Sequence, residues 1–505
     1  MSLVTGEILE EAGWAAGPEM VALLERARVY EEEKGIVDVK YLLKLLRRDF
    51  GEPAKAMRMR ATGLLAAEAI EASSEEEVKN LVRVRRQMRE MLRVPVVKAG
   101  AVMPDACPAG AGVATIPVGG AIAVEGAIVP GAHGADICCS MYASFYRSDG
   151  GVGGEMDVLV GATRFGAGGR SVDEVVHHPV VDEEVWENVF LKGLRDKAVV
   201  YLADQGDGNH FAFLGEVVLG EREVAVIGKS RETVKAGRYR VLVTHHGSRG
   251  LGAAVFKRGQ AAAEKHTARV AEGVPAGAAW LDAGDATGAA YWEALQYVGR
   301  WTRANHEAIH RRFLDGLGAV AAWSFGNEHN FVWQRDGMFL HGKGATPAWK
   351  GDDGKPLLGL VPMNMRDGVL VVLGGDNTDF LSFAPHGAGR NVSRRRLVRQ
   401  LMRKGAVEGA IEEGTRGMDV RWYLGQADVS ETPVAYKDAA TVRGQIEQFG
   451  LAEVAAVIEP LGCVMAGRNA RREEWEEEPL TPKQKRQMGH RAERRRGRQV
   501  GWDGL

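Results

Sequence analysis

The sequence is poor in cysteine, has no long apolar run and carries almost no net charge. Its four cysteines, Cys107, Cys138, Cys139 and Cys463, are too few among 505 residues for a disulfide scaffold. No stretch approaches the ~20 consecutive apolar residues of a membrane span. The start, MSLVTGEILEEAG, lacks a basic segment followed by an apolar one, so no signal peptide is expected. The expected compartment is a reducing cytoplasm, where thiols stay free to bind metal. A formal charge of −2 excludes a whole-molecule attraction to nucleic acid, so any polyanion site must be local. There is also no internal repeat and no GxxxxGK[ST] phosphate loop.

What the chain does have is size and glycine. Its 505 residues exceed the roughly 100–200 of one compact domain, and at 45% apolar residues it can bury a sizeable core. Glycine occurs 65 times, where average usage of about 7% would give roughly 35. With no Gly-X-Y period, that excess predicts many tight turns.

Three zones follow. Residues 1–95 read as an N-terminal helical extension. MVALLERARVYEEE (20–33) and YLLKLLRRDF (41–50) repeat apolar residues at 3–4 spacing. Ser74 followed by Glu77 resembles a capping box opening a helix over 75–92. The arginines of that helix, Arg83, Arg85, Arg86, Arg89 and Arg93, read first as a solvated face, with RNA contact as the alternative. Residues 96–467 mix β-rich runs (VAVIG, YRVLVTHH, MNMRDGVLVVLGG) with glycine clusters and a helix over 253–272, which predicts an α+β body of mixed composition. Residues 468–505 form a charged tail. Between Lys483 and Arg498 it has eight Lys/Arg against one acid, Glu493, and is expected to be a flexible appendage able to touch RNA or the ribosome.

The histidines have unusual settings. Five short segments dense in glycine and small polar residues contain them: GDGNH (206–210), HHGSRG (245–250), EHN (328–330), HGKGAT (341–346) and HGAGR (386–390). GAHGADICCS adds Asp136 and Cys139. Loop-borne His, Cys and Asp beside glycine suit a metal or phosphate site, because glycine permits close backbone approach while imidazole and thiolate donate to the metal. Asp136 and Cys139, three apart, would face opposite ways on a regular strand, so reaching one metal requires a turn or a helical twist. Cys138 and Cys139 diverge, and only one is expected in the site. Of the pair leaving VLVT, His245 is expected to point inward and His246 to be structural. His133, His306, His310 and His341 read as structural or supporting, and His177, His178, His266 and His490 have no supporting context.

The ordered set DICCS, GDGNHF, HHGSRGLG, EHN, HGKGAT and HGAGRNVSR resembles the RtcB family of RNA-splicing ligases. VMPDAC (102–107), ETPVAYKD near 435 and PLGCVMAG (460–467) continue the resemblance over roughly residues 100–467. It implies an RtcB-like core with central β-sheets around a two-metal site. The implied activity is a Mn2+- and GTP-dependent ligase joining RNA 3′-phosphate or 2′,3′-cyclic phosphate ends to 5′-hydroxyl ends. Asp136, Cys139 and His210 would hold one Mn2+, and Cys139, His245 and His329 the second. His386 would be the nucleophile that becomes guanylylated. Asn209, Ser248, Arg249 and Arg390 would position phosphate, Tyr436 would stack on guanine, and Asp105 falls at the nucleotide. An archease-like activator is a further implied partner.

This chain departs from the family pattern on the guanine side. Phe213 replaces a glutamate and Met465 a lysine, PMNMRDG (362–368) replaces a serine-rich loop, and Cys107 replaces a histidine. Two other readings follow. One is a metal-dependent phosphoesterase acting on RNA ends, using a metal-bound hydroxide. The other is a non-catalytic RNA- or ribosome-binding protein that relies on the basic tail.

Overall fold

The computed structural model describes residues 2–14, 17–51, 57–110, 112, 115–166 and 168–469, so nearly all of the charged tail, with His490, lies outside the described residues. No helix among them is long and apolar enough to cross a membrane. At the N-terminus, α1 (Gly6–Glu11), α2 (Pro18–Lys34) and α3 (Val39–Phe50) bury Leu9, Leu23, Tyr30, Leu42 and Leu46 in a cluster of their own. Asp38 caps α3 by accepting from the Tyr41 N–H at 2.7 Å. The next helix, α4 (Glu75–Met91), packs differently: Leu81, Val84, Met88 and Met91 enter the main core. Ser74 caps it through the Glu77 N–H, but the Glu77 carboxylate accepts from the Ser73 N–H and hydroxyl, so only half of the expected capping box forms. Arg83, Arg85, Arg86 and Arg89 are exposed on its outer face.

Two sheets make the main body. In chain order the strands and helices that position the site are β1 (Val97–Cys107), β2 (Val118–Glu125), β3 (Ser140–Tyr146), β4 (Phe211–Leu219), β5 (Gly237–His246), α5 (Arg249–Val270), α6 (Ala286–Leu317), β6 (Ala321–Glu328), β7 (Asn330–Arg335), β8 (Met338–Lys343), β9 (Leu358–Asn364), β10 (Gly368–Gly374), α7 (Arg394–Lys404), β11 (Asp419–Trp422) and β12 (Ala452–Met465). The eight-stranded sheet runs β6-β3-β5-β4-β12-β10-β9, with β11 parallel to β12 at its side. The five-stranded sheet runs β7-β8-β2-β1 and ends on residues 67–68. Neighbours are antiparallel except at β11 and at 67–68, giving the mixed α and β architecture that the alternating texture predicts.

One expectation fails. VAVIG was expected to be extended, but it lies in and just after a helix, Glu221–Ile227. The Glu223 carboxylate accepts from the Gly220 N–H at 2.9 Å and caps the turn, while Val226 and Ile227 are buried on one side. Capping and tertiary packing outweigh the extended preference of a short β-branched run.

The central strand β5 explains how the site is hung. Val241 and Val243 enter one core cluster and Leu242 another, as strand alternation requires. His245 therefore continues the Val243 face. Thr244 and His246 continue the opposite face, against α6, where the Thr244 hydroxyl meets His306 Nδ1 at 2.7 Å and His310 Nε2 at 2.8 Å.

Candidate functional site

The antiparallel order brings four strand ends together. β5 and β6 finish where β3 and β4 begin, with His245 opposite both Met141 and Phe211, and Glu328 opposite Ser140. Residues flanking those ends therefore converge: Cys139 before β3, His210 before β4, His245 ending β5 and His329 after β6. Asp136 arrives by a turn in which the Cys139 N–H donates to its carbonyl at 3.2 Å and Cys138 takes a positive φ of 56°.

The result is two triads sharing one thiol, Asp136/Cys139/His210 and Cys139/His245/His329, each with its donor atoms within 4.8 Å of one another. Cys139 Sγ lies 3.2 Å from His245 Nε2 and 3.6 Å from His210 Nε2. His245 Nε2 lies 3.1 Å from His329 Nε2, and His210 Nε2 lies 3.2 Å from Asp136 Oδ2. His245 Nδ1 donates to the Asn209 carbonyl at 3.1 Å, so its Nε2 presents a lone pair to the cluster. Converging imidazole lone pairs around a thiol and a carboxylate form a donor set that fits a pair of divalent cations.

The electrostatics agree. Burial, reinforced by His210 and His386, lowers the His245 pKa to about 3. Burial and the Asp136 carboxylate push the Cys139 thiol well above its usual range. Burial is the largest single influence on Asp136 and raises it, but the hydrogen bond and charge of His210, with Cys139 and His245, together outweigh it and bring the pKa to about 2. Imidazoles held neutral are ready to ligate, and a bound cation would reverse the thiol's shift.

Cys138 turns away as expected; its Sγ packs toward Gly299 of α6. His246 is fully buried and stacks on His306 with ring centroids 3.5 Å apart, which makes it structural. His341 is likewise internal, accepting from the Val129 N–H at 2.9 Å. Glycine's part differs in detail from the expectation. A Cβ on Gly247 would sit 1.9 Å from Asp136 Oδ1, and one on Gly389 (φ 73°) would sit 2.0 Å from the Asp105 carbonyl oxygen. At these two positions glycine makes room for the protein's own site residues.

His386 lies beside the second triad, its ring centroid 4.9 Å from that of His329. Its Nδ1 is 2.5 Å from Oδ2 of Asp105, a fully buried carboxylate 281 residues away. A cavity of about 300 Å3 opens on His386 and is also lined by Asn209, Arg390 and Tyr436. Arg390 donates to the Ser430 carbonyl at 2.6 Å, to Glu431 at 2.7 Å and to the Tyr436 hydroxyl at 2.9 Å, and its guanidinium lies 4.4 Å from the Tyr436 ring centre. Ser248 and Arg249 stand apart from this cavity. Ser248 is buried and donates to the Ile137 carbonyl at 2.6 Å. Arg249 reaches His210 Nδ1 at 3.4 Å and pairs with Asp204 at 3.9 Å.

Reading the sequence missed Glu431 and Arg394, although both sit inside quoted motifs. Glu431 is 2% exposed and forms ion pairs with Arg390 and Arg394. The buried charge was invisible because nothing local marks it.

The family model described as tRNA-splicing ligase RtcB matches residues 183–466. The chain belongs to the RtcB family. Among RtcB relatives, the RNA-splicing ligases RtcB of Mycobacterium tuberculosis and Mycobacterium bovis are each 30% identical over 283 residues, 51% of this chain and 63% of theirs. The tRNA-splicing ligase RtcB of Aeropyrum pernix is 27% identical over 292 residues, 52% of this chain and 58% of its own. The chain thus spans less than two thirds of the length of these RtcB relatives. Asp105, Asp136 and Cys139 precede the RtcB match, and it is the fold that brings them to His210, His245, His329 and His386.

Proposed function

We propose that this chain is a metal-dependent RNA ligase that activates an RNA 3′-phosphate through a nucleotidylated His386. The observation that carries the reading is the Asp105–His386 contact beside the His329 triad. With Nδ1–H donating its hydrogen bond to the Asp105 carboxylate, Nε2 keeps the lone pair that a nucleophile needs. Asp136, Cys139 and His210 would hold one divalent ion, and Cys139, His245 and His329 a second. Family resemblance names Mn2+ and GTP. Bound cations there would screen triphosphate charge and favour departure of pyrophosphate.

His386 Nε2 attacks the α-phosphorus of the nucleoside triphosphate. The N–P bond forms as the bond to the bridging β-phosphate oxygen breaks, and pyrophosphate leaves. An oxygen of the RNA 3′-phosphate then takes the nucleoside monophosphate and frees the imidazole. The 5′-hydroxyl of the second strand attacks the activated 3′-phosphate, forming a phosphodiester and releasing the nucleoside monophosphate. A 2′,3′-cyclic phosphate must first be opened by water to a 3′-phosphate. Asn209, which lines the same cavity as His386, would steady phosphate.

The test is sealing of a 3′-phosphate RNA to a 5′-hydroxyl RNA with Mn2+ and a nucleoside triphosphate. Ligation that disappears in His386→Ala is expected. Opening of a cyclic phosphate without any nucleotide, and with no sealing, would instead establish the phosphoesterase reading. A cytoplasmic location and an archease-like activator belong to the same proposal.

A further inference from the structure

The lining of the cavity that opens on His386 divides into a polar set and an apolar floor. Two adjacent cross-strand pairs of β4 and β12 build that floor: Phe211 opposite Met465 and Phe213 opposite Cys463. Paired residues on neighbouring strands project to one face, so the four side chains form a continuous wall. Met363 and Met365 extend the lining. Phe213 lies two residues further along β4 from the metal-site end than Phe211, so the wall runs away from the ligating residues.

The polar side chains that reach this cavity are largely engaged already. Asn364 accepts from the Arg366 and Asp367 N–H groups, each at 2.9 Å, and donates to the Asp367 carboxylate. Glu431 accepts from Arg390 and the Tyr436 hydroxyl through Oε2. Its Oε1 lies 2.9 Å from Arg394, an ion pair outside hydrogen-bonding alignment. Asn209 and His386 remain for phosphate chemistry.

We infer that the base pocket of this chain does not select guanine and accepts the less polar adenine at least as well. The inference rests on the nucleotide-activating reading of His386. Guanine brings an N1–H, a 2-amino group and a carbonyl oxygen, all hydrated in water. Against phenyl rings, thioethers and a thiol those groups lose water and gain no partner from that wall, while the nearby Glu431 carboxylate is held by Arg390, Arg394 and Tyr436. Adenine brings one amino group and ring nitrogens, so less is lost. Aromatic and thioether contacts serve the flat face of either purine. A pocket that hydrogen-bonds its substrate's edge discriminates strongly; an apolar pocket lacks that lever.

The wild-type protein, loaded with Mn2+, is incubated separately with ATP and GTP, and the rate of adduct formation is read by intact mass. The two adducts differ in mass, so the base is identified directly. ATP at least as fast as GTP is expected, rising to about tenfold faster where guanine leaves one more polar group unsatisfied. GTP faster than ATP overturns the inference while leaving the activating role of His386 standing. Adduct with neither nucleotide counts against the activating role instead. The pocket is then judged by calorimetric titration of the Mn2+-loaded His386→Ala protein, where tighter GTP binding, or binding of neither, overturns the inference. Phe213→Glu places a carboxylate on the floor and should raise the GTP-to-ATP ratio, provided circular dichroism shows an unchanged fold.

Discussion

At the scale of single residues, the proposed chemistry depends most on Cys139 and Asp105. Cys139 belongs to both triads, so replacing its sulfur removes a donor from each. Cys139→Ala is predicted to lose both bound metal ions, measured by elemental analysis after gel filtration; retention of one would show that the thiol is not shared. Asp105 acts on His386 through the 2.5 Å contact to Nδ1. Asp105→Asn fills the same space, but its amide can favour the wrong imidazole tautomer. Adduct formation should slow by about a hundredfold or more, given the larger loss seen for the analogous change in a serine protease triad. Metal content should stay unchanged, which separates this effect from collapse of the cluster. An unaltered rate would remove Asp105 from the mechanism.

At the scale of elements, α4 is stitched to the nucleophile's surroundings. Glu77 on α4 pairs with Lys437 at 2.7 Å, with side-chain exposures of 4% and 3%. The Lys437 ammonium also donates to the Pro104 carbonyl at 3.0 Å, next to Asp105, and its backbone N–H donates to the Gly389 carbonyl. Lys437→Met would leave Glu77 buried without a counter-charge, a change that costs about 3–5 kcal/mol. Urea unfolding should register that loss; a change below about 1 kcal/mol would show that water replaces the ammonium. The same contacts mark the limit of what the sequence makes legible. The five candidate ligands and His386 could be named because the short motifs that hold them resemble, in order, those of the RtcB family. Asp105–His386 and Glu77–Lys437 join residues hundreds of positions apart, and no local pattern announces either. The helices over 20–33 and 41–50 were legible from their apolar spacing and the one over 75–92 from its Ser74 cap, whereas VAVIG was not, because a cap and one-sided burial decided its conformation.

At the scale of the whole molecule, the near-zero net charge conceals buried histidines that must stay neutral. Burial lowers His133 to about 4, and His310 and His341 to about 3. His341 cannot be protonated without losing the bond that it accepts from Val129. Since these folded values lie below the ordinary one of about 6.5, the unfolded chain binds more protons from roughly pH 6.5 down to about pH 4 for His133 and about pH 3 for His310 and His341. Stability is therefore full above that window and falls as pH drops through it, by up to about 1.4 kcal/mol per pH unit for each such histidine. Denaturant midpoints that decline from pH 7.5 to pH 5 are expected, and a flat profile would contradict the neutral assignment. Under the proposed function, a near-neutral charge leaves attraction for RNA to local groups, and cations held at the triads together with Arg390 and Arg394 at the cavity would be its sources.

The central claim is that the fold makes His386 a nucleophile beside a shared-thiol metal cluster. It is tested most directly by intact-mass measurement after incubation with Mn2+ and a purine nucleoside triphosphate. A single nucleoside-monophosphate adduct, absent from His386→Ala and from Cys139→Ala, is the predicted result. No adduct with any purine triphosphate, or one that survives loss of His386, would contradict the account.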